Sequence, residues 1–211
     1  MERIFAVGDI HGCLDKLIEL MDTVDIDPDQ DTLVFIGDYI DRGTDSKGVV
    51  NYLIELAGQY RHVVFLKGNH EQMLDFYLNE KDELWFLANG GQVTLDSYLR
   101  ADPPAGAGLI PQAHLDFFEN LLPCYETEAY IFVHAGLKAK IPFAKQDEWD
   151  MLWIRDDFVF SDFDFGKVVV FGHTPFYEPL VQDNKIGIDT GAVYGNKLTC
   201  VELPAMKFYS V

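Results

Sequence analysis

Thr32-Leu33-Val34-Phe35-Ile36-Gly37-Asp38-Tyr39-Ile40-Asp41-Arg42-Gly43 is the stretch on which the fold turns. Its first five residues form an unbroken apolar, β-rich run, the pattern of a short strand buried on both faces. Gly37 ends that run, and Asp38, Asp41 and Arg42 follow at once. Upstream, 3–7 is a second run of this kind and leads into Gly8-Asp9; downstream, 62–66 is a third and leads to Gly68-Asn69. Between the runs, Leu14, Leu17, Ile18 and Met21 have helical spacing, as do Val49, Val50, Leu53, Ile54 and Ala57. The order βαβαβ predicts a mainly parallel sheet with right-handed crossovers.

The rest of the chain reads less sharply. From 72 to 122 there is no clear strand, and a Pro/Gly-rich break at 102–108 reads as a mobile loop within a helical lobe. The runs 125–133 and 168–171 are strand-like. The short runs 180–182, 185–188, 198–203 and 207–210, separated by turn residues, predict an antiparallel meander. The aromatic, acidic segment 147–164 has little periodicity and reads as a loop. A single domain over 1–211, carrying the helical lobe at about 72–122, is expected.

Composition narrows the function. The 211 residues include 16 Lys and Arg against 35 Asp and Glu, a formal net charge of −19. Such a surface cannot neutralise the phosphates of a long nucleic acid or adhere to an anionic membrane, so neither is an expected partner. With 48% hydrophobic and 24% charged residues the chain is not a disordered one. No secretory leader pattern and no apolar run long enough to span a membrane is present, which predicts a cytoplasmic protein. Cys13, Cys124 and Cys200 are odd in number and widely spaced, against a disulfide framework or a structural zinc site.

Five clusters share one pattern, a β run followed at once by Gly or His with metal-type donors. They are Gly8-Asp9-Ile10-His11-Gly12, Gly37-Asp38 with Asp41-Arg42-Gly43, Gly68-Asn69-His70-Glu71, His134-Ala135-Gly136 and Gly172-His173-Thr174. Ligand sites in α/β sheets form beyond the carboxyl ends of the strands, so five such sets converge on one place. The donors are carboxylate, imidazole and amide oxygen without thiolate, which suits Mn, Fe or Zn in a catalytic rather than a structural site. Their number exceeds what one ion needs and points to two ions sharing a carboxylate.

The first three clusters, in this order, resemble the phosphoprotein-phosphatase branch of the calcineurin-like metallophosphoesterases, and those at His134 and His173 complete the likeness. Asn89-Gly90-Gly91 with Thr94-Leu95 and Ser97-Tyr98, and Ile188-Asp189-Thr190-Gly191-Ala192-Val193-Tyr194-Gly195, resemble its bacterial members. The resemblance implies an α/β fold, a metallophosphoesterase β-sandwich of mixed sheets flanked by helices in four layers. It implies that Asp9 and His11 bind a first metal, that Asp38 bridges, and that Asn69, His134 and His173 bind a second. It gives His70 as general acid paired with Asp41, and Arg42 and, more loosely, Arg155 as phosphate holders. Two divalent ions are implied, Mn foremost, with Fe, Zn or Ni as alternatives.

The implied activity is hydrolysis of phosphoserine or phosphothreonine by a metal-activated hydroxide, with a phosphoprotein or a small phosphorylated molecule as substrate. Symmetrical cleavage of diadenosine tetraphosphate is the alternative; a non-catalytic metal-dependent scaffold is a third, against which the intact set of ligands argues. Arg155 has a second reading, as a surface partner of Asp156 or Asp157. Asp189-Thr190-Gly191 reads as a turn under the site. Glu71 reads as a helix starter favoured by the N-terminal dipole. His62 and His114 lie outside every cluster. Trp85, Trp149 and Trp153 read as core or lobe aromatics, with Trp153 open to a second reading as a substrate wall beside Arg155.

Overall fold

Strand β1 (Ile4–Val7) is buried at every position, and its two faces enter two different cores. Ile4 and Ala6 pack with Val34, Ile36, Phe132, Val170, Ile186 and Val201, while Phe5 and Val7 pack with Leu17, Leu20, Val49 and Leu53. Alternate side chains of a strand point to opposite faces, so a strand buried on both shows no polar alternation. A slip of one residue in its register would exchange the two cores, which fixes the pairing Ile4↔Thr32 to Val7↔Phe35.

The structure, a computed structural model, describes residues 3–100 and 108–211. The 102–108 break of the sequence lies, except for Gly108, outside the described residues. Two five-stranded sheets result. The first has the order β10-β9-β1-β2-β3, with β2 (Thr32–Phe35), β3 (Val63–Phe65), β9 (Thr199–Leu203) and β10 (Lys207–Ser210). The second has the order β4-β5-β6-β8-β7, with β4 (Cys124–Glu126), β5 (Tyr130–Val133), β6 (Val168–Phe171), β7 (Leu180–Val181) and β8 (Lys185–Gly187). Ile4, Val34, Phe132, Val170 and Val201 fill the space between the sheets. Outside the first sheet lie α1 (Leu14–Thr23) and α2 (Ser46–Ala57); outside the second, α7 (Glu148–Trp153) and α8 (Asp156–Val159). This is the expected four-layer sandwich of mixed sheets, with β1, β2 and β3 parallel.

Between β3 and β4 the described chain forms α3 (Asn69–Leu78), α4 (Glu83–Phe86), α5 (Gln92–Arg100) and α6 (Gln112–Glu119). A kink at Gly90, φ 103°, separates α4 from α5. A Cβ there would stand 3.0 Å from the backbone nitrogen of Arg42, so glycine serves both the dihedral and the close approach.

Three local expectations are corrected. The 125–133 run is two antiparallel strands, β4 and β5, joined by a turn in which Tyr130 N–H donates to Thr127 Oγ1. The 147–164 segment is not all loop: α7 and α8 occupy part of it, each too short to show a helical period, with Asp147 capping α7 by accepting from Trp149 N–H. The C-terminal runs are not one meander. Strands β7 and β8 pair in the second sheet, β9 and β10 in the first, and β8 also runs parallel to β6. In α1 the buried positions are Leu17, Leu20 and Met21, while Ile18 faces solvent.

Candidate metal centre and active site

The carboxyl ends of β1, β2, β3, β5 and β6 all open on one place. Asp9 and His11 follow β1, Asp38 and Asp41 follow β2, Asn69 and His70 begin α3 just after β3, and His134 and His173 follow β5 and β6. All eight are buried. The turns are sharp: His11, Asp38, Asp41, Arg42 and His173 all have φ between 46° and 71°. Left-handed backbone at a non-glycine residue costs of order 1–3 kcal/mol, and its concentration here is the mark of a functional site.

One donor set spans both sheets. His134 Nδ1–H donates to the Ile36 carbonyl at 2.9 Å, which leaves the Nε2 lone pair facing Asn69 Oδ1 at 3.0 Å and Asp38 Oδ1 at 3.4 Å. His173 Nδ1 lies 2.9 Å from the same Asn69 oxygen. Donors about 2.1 Å from a shared ion stand about 3.0 Å apart in octahedral and about 3.4 Å apart in tetrahedral geometry, so this spacing fits a divalent cation. Burial holds His134 below its ordinary pKa; burial, and then the neighbouring His134, push His173 down to about 2. Both rings are therefore neutral, the form that binds metal.

The second set is built around His11. Its Nδ1–H donates to the Ile40 carbonyl at 2.8 Å, and its Nε2 stands 3.3 Å from Asp38 Oδ2 and 2.6 Å from an Arg42 nitrogen. Burial pushes His11 down to about 3. His11, Asp38 and His70 come within ligand range of one another, as do Asp38, His134 and His173, so Asp38 belongs to both groups. Asp9 stands beside the first group rather than within it: its carboxylate accepts the His173 backbone N–H at 3.0 Å and 3.2 Å. Burial, then the charges of Asp189 and Asp38, raise the Asp9 carboxyl well above the usual range. Carboxylates crowded in this way call for cations, so the residues present fit divalent metal.

His70 Nδ1 meets Asp41 Oδ2 at 2.6 Å, while its Nε2 is buried without a hydrogen-bond partner. Burial alone would lower His70, but the charges of Asp38 and Asp41 outweigh it and raise the imidazole above its ordinary value. Asp41 is held in turn by Thr94, whose hydroxyl donates to Asp41 Oδ1 at 2.7 Å, so α5 buttresses the pair. Arg42 lies against Tyr194, its guanidinium 5.8 Å from the ring centroid. Arg155 donates to the His173 carbonyl at 2.9 Å, which brings it to the rim of the site.

The sequence did not single out Glu71 as part of this machinery. Its carboxylate accepts the backbone N–H groups of Asp38 (3.0 Å), Tyr39 (2.9 Å) and Gly68 (2.9 Å), tying the turns after β2 and β3 together. Burial, then Asp38, push its pKa up to about 8. Thr94 is marked in the sequence only by its place three residues after Gly90-Gly91, in the stretch that resembles the bacterial members. Asp189 accepts from Gly191 N–H at 2.9 Å and closes the expected turn.

A model of the calcineurin-like phosphoesterase family matches residues 2–200. The chain belongs to that family. It is thus a metallophosphoesterase, a hydrolase family that works with divalent metal. Its curated relatives include the asymmetrical bis(5'-nucleosyl)-tetraphosphatase PrpE of Oceanobacillus iheyensis, 28% identical with 99% of this chain and 92% of PrpE covered. The enzyme of the same name from Bacillus thuringiensis strain Al Hakam is 27% identical, with 97% and 92% covered. Among solved structures, a provisionally named diadenosine tetraphosphatase superposes with a TM-score of 0.76 at 25% identity, covering 100% of this chain and 93% of that one. A Saccharomyces cerevisiae serine/threonine phosphatase, at 15% identity and TM-score 0.65 over 99% of this chain and 79% of its own, shares the fold alone.

These relatives overturn the expectation of a phosphoserine or phosphothreonine phosphatase, and that of symmetrical cleavage as its alternative. The physical reason is that metal ligands, acid and arginines specify the chemistry at phosphorus. Nothing in those motifs bears on the part of a substrate that separates a phosphoprotein from a dinucleotide. Among the described residues no helix is long and apolar enough to cross a membrane.

Proposed function

We propose that this protein hydrolyses a dinucleoside tetraphosphate off centre, releasing a nucleoside monophosphate and a nucleoside triphosphate. The reading is supported above all by relatives of that activity that align with 97–99% of the chain. Asp9 and His11 would hold one ion, Asn69, His134 and His173 the other, and Asp38 both. The nitrogen and oxygen donors suit Mn best, with Fe, Zn or Ni as substitutes. When bound, such a pair supplies a Lewis-acidic field that lowers the pKa of water and offsets phosphoryl charge.

The chain's own residues do the rest. Arg42 and Arg155 offer planar forks to phosphoryl oxygens, which a lysine cannot reproduce. Water adds to phosphorus in line, the bond to the leaving phosphate oxygen breaks, and His70 Nε2 delivers a proton to that oxygen. Asp41, 2.6 Å from Nδ1, keeps the ring oriented and its charged form favoured. Glu71 keeps the Asp38 and Gly68 turns in place. The test is product analysis: Mn-loaded protein should convert diadenosine tetraphosphate to AMP and ATP. ADP as sole product, or no hydrolysis of it by protein that cleaves p-nitrophenyl phosphate, would overturn the reading.

A further inference from the structure

Three tryptophans stand together at the edge of the metal centre. Trp85 on α4 stacks on Trp153 at 4.8 Å and on Trp149 at 6.0 Å, and Trp149 and Trp153 of α7 stack at 5.4 Å; the rings are within 20–25° of parallel. The set is anchored at its inner end. Trp153 Nε1–H donates to Gln72 Oε1 at 2.7 Å, and its ring meets that of His173 edge-on at 6.2 Å. The outer end is open, with Trp149 50% exposed. A cleft of about 410 Å³ runs along Trp149, Trp153, Ile154 and Arg155, and Asp150 and Asp156 also line it.

The order of chemistry along this cleft is informative. At the inner end, Arg155 touches the His173 carbonyl and offers a phosphate clamp beside the metal donors. Farther out come flat aromatic faces with carboxylates nearby. Carboxylates repel a bare polyphosphate but accept hydrogen bonds from ribose hydroxyls and exocyclic amines, so the outer cleft suits an uncharged nucleoside. Aromatic side chains stack on any base, because every base has a π-face.

We propose that Trp149, backed by Trp85 and Trp153, is the platform on which one nucleobase of the substrate stacks, with Arg155 holding the phosphate that joins that nucleoside to the reacting group. The proposal rests on the dinucleoside reading above and assigns the residues that recognise its base. It places the recognised nucleoside next to the metal centre, one phosphate away, as off-centre cleavage requires of one end of the substrate.

The experiment compares AMP with ribose 5-phosphate, which lacks only the base, on Mn-loaded protein by calorimetry and tryptophan fluorescence. AMP should bind more tightly and quench the fluorescence. Trp149→Ala should reduce that advantage by about 5- to 150-fold, the range of a single base–aromatic stack, and Trp149→Tyr should keep most of it. A merely structural role for Trp149 would weaken both ligands alike. Equal affinity of the parent for the two ligands, or an advantage untouched in Trp149→Ala, overturns the platform. The substrate reading fails separately: protein that binds AMP through Trp149 but leaves diadenosine tetraphosphate intact sinks that reading and leaves the platform standing.

Discussion

Replacing Glu71 should damage both the fold and the metal centre, and in a predictable order. Its two carboxylate oxygens serve three buried N–H groups: Oε2 accepts from Asp38 and Gly68, Oε1 from Tyr39. Glu71→Ala deprives all three donors. A buried donor left unpaired costs about 1–3 kcal/mol, so the loss of three should be of order 3–9 kcal/mol, a large part of a typical domain's stability. Glu71→Gln keeps the shape and one acceptor oxygen. Its best placement sets that oxygen where the Asp38 and Gly68 donors converge and turns the amide NH2 toward Tyr39 N–H. One donor is then orphaned, for a loss of about 1–3 kcal/mol. Because Asp38 belongs to both donor groups, metal affinity should fall about 10- to 100-fold in either variant, as for other residues that support ligands. Urea unfolding at constant slope reads the first effect, and elemental analysis after dialysis against graded chelator the second. A Gln variant as stable as the parent with the same metal retention, or one less stable than the Ala variant, would refute the clamp.

Three further outcomes are expected. His70→Asn should keep its metal but lose about 10²- to 10⁴-fold in kcat, the usual worth of a positioned acid; a metal-free variant would instead make His70 a ligand. Chelation with EDTA should abolish hydrolysis and added Mn restore it, whereas activity that survives exhaustive chelation contradicts the donor-set reading. His114, bridging Tyr98 (2.7 Å) and Asn51 (2.8 Å), is pushed down to about 4 by burial and then by Lys47. Its folded pKa lies below the unfolded value near 6.5, so the unfolded chain binds more protons between the two and stability falls as pH drops through that window. The loss is at most about 3 kcal/mol, and less to the extent that water reaches the ring. Urea midpoints at pH 7 and pH 4.5 should differ less in His114→Gln than in the parent, and parallel losses would exclude His114 as the cause.

The legible parts of the fold were those decided locally. Runs such as 32–36 announce a strand buried on both faces, and the glycines after them announce turns, so the three parallel strands and the converging donors could be read directly. The 198–203 run carries equal β character, yet nothing in it says that β9 pairs with β1 across nearly the whole chain. Helix α7, at six residues, falls below the length at which a period shows. Glu71 stands in the first turn of α3, as its sequence context predicts, but that context holds only half of its role. Its carboxylate also turns back to the Asp38 loop, a tertiary contact that no local pattern announces. Substrate choice was hidden for a related reason: the motifs surround phosphorus, while the tryptophans that flank the site come from 85, 149 and 153 and meet only in the folded chain.

The origin of the donors has a mechanical consequence. Asp38 and Asn69 hang from strands of the first sheet, His134 and His173 from strands of the second. On the proposed assignment, a cation held by all four would be a rivet through the seam of the sandwich, whereas one beside His11 would fasten only loops of a single sheet. Withdrawing that rivet should free the two sheets to shear along their shared apolar layer. Metal depletion should then register as faster amide exchange in β5 and β6, far ahead of any loss in β1, and catalytic competence and the rigidity of the sandwich rise and fall together.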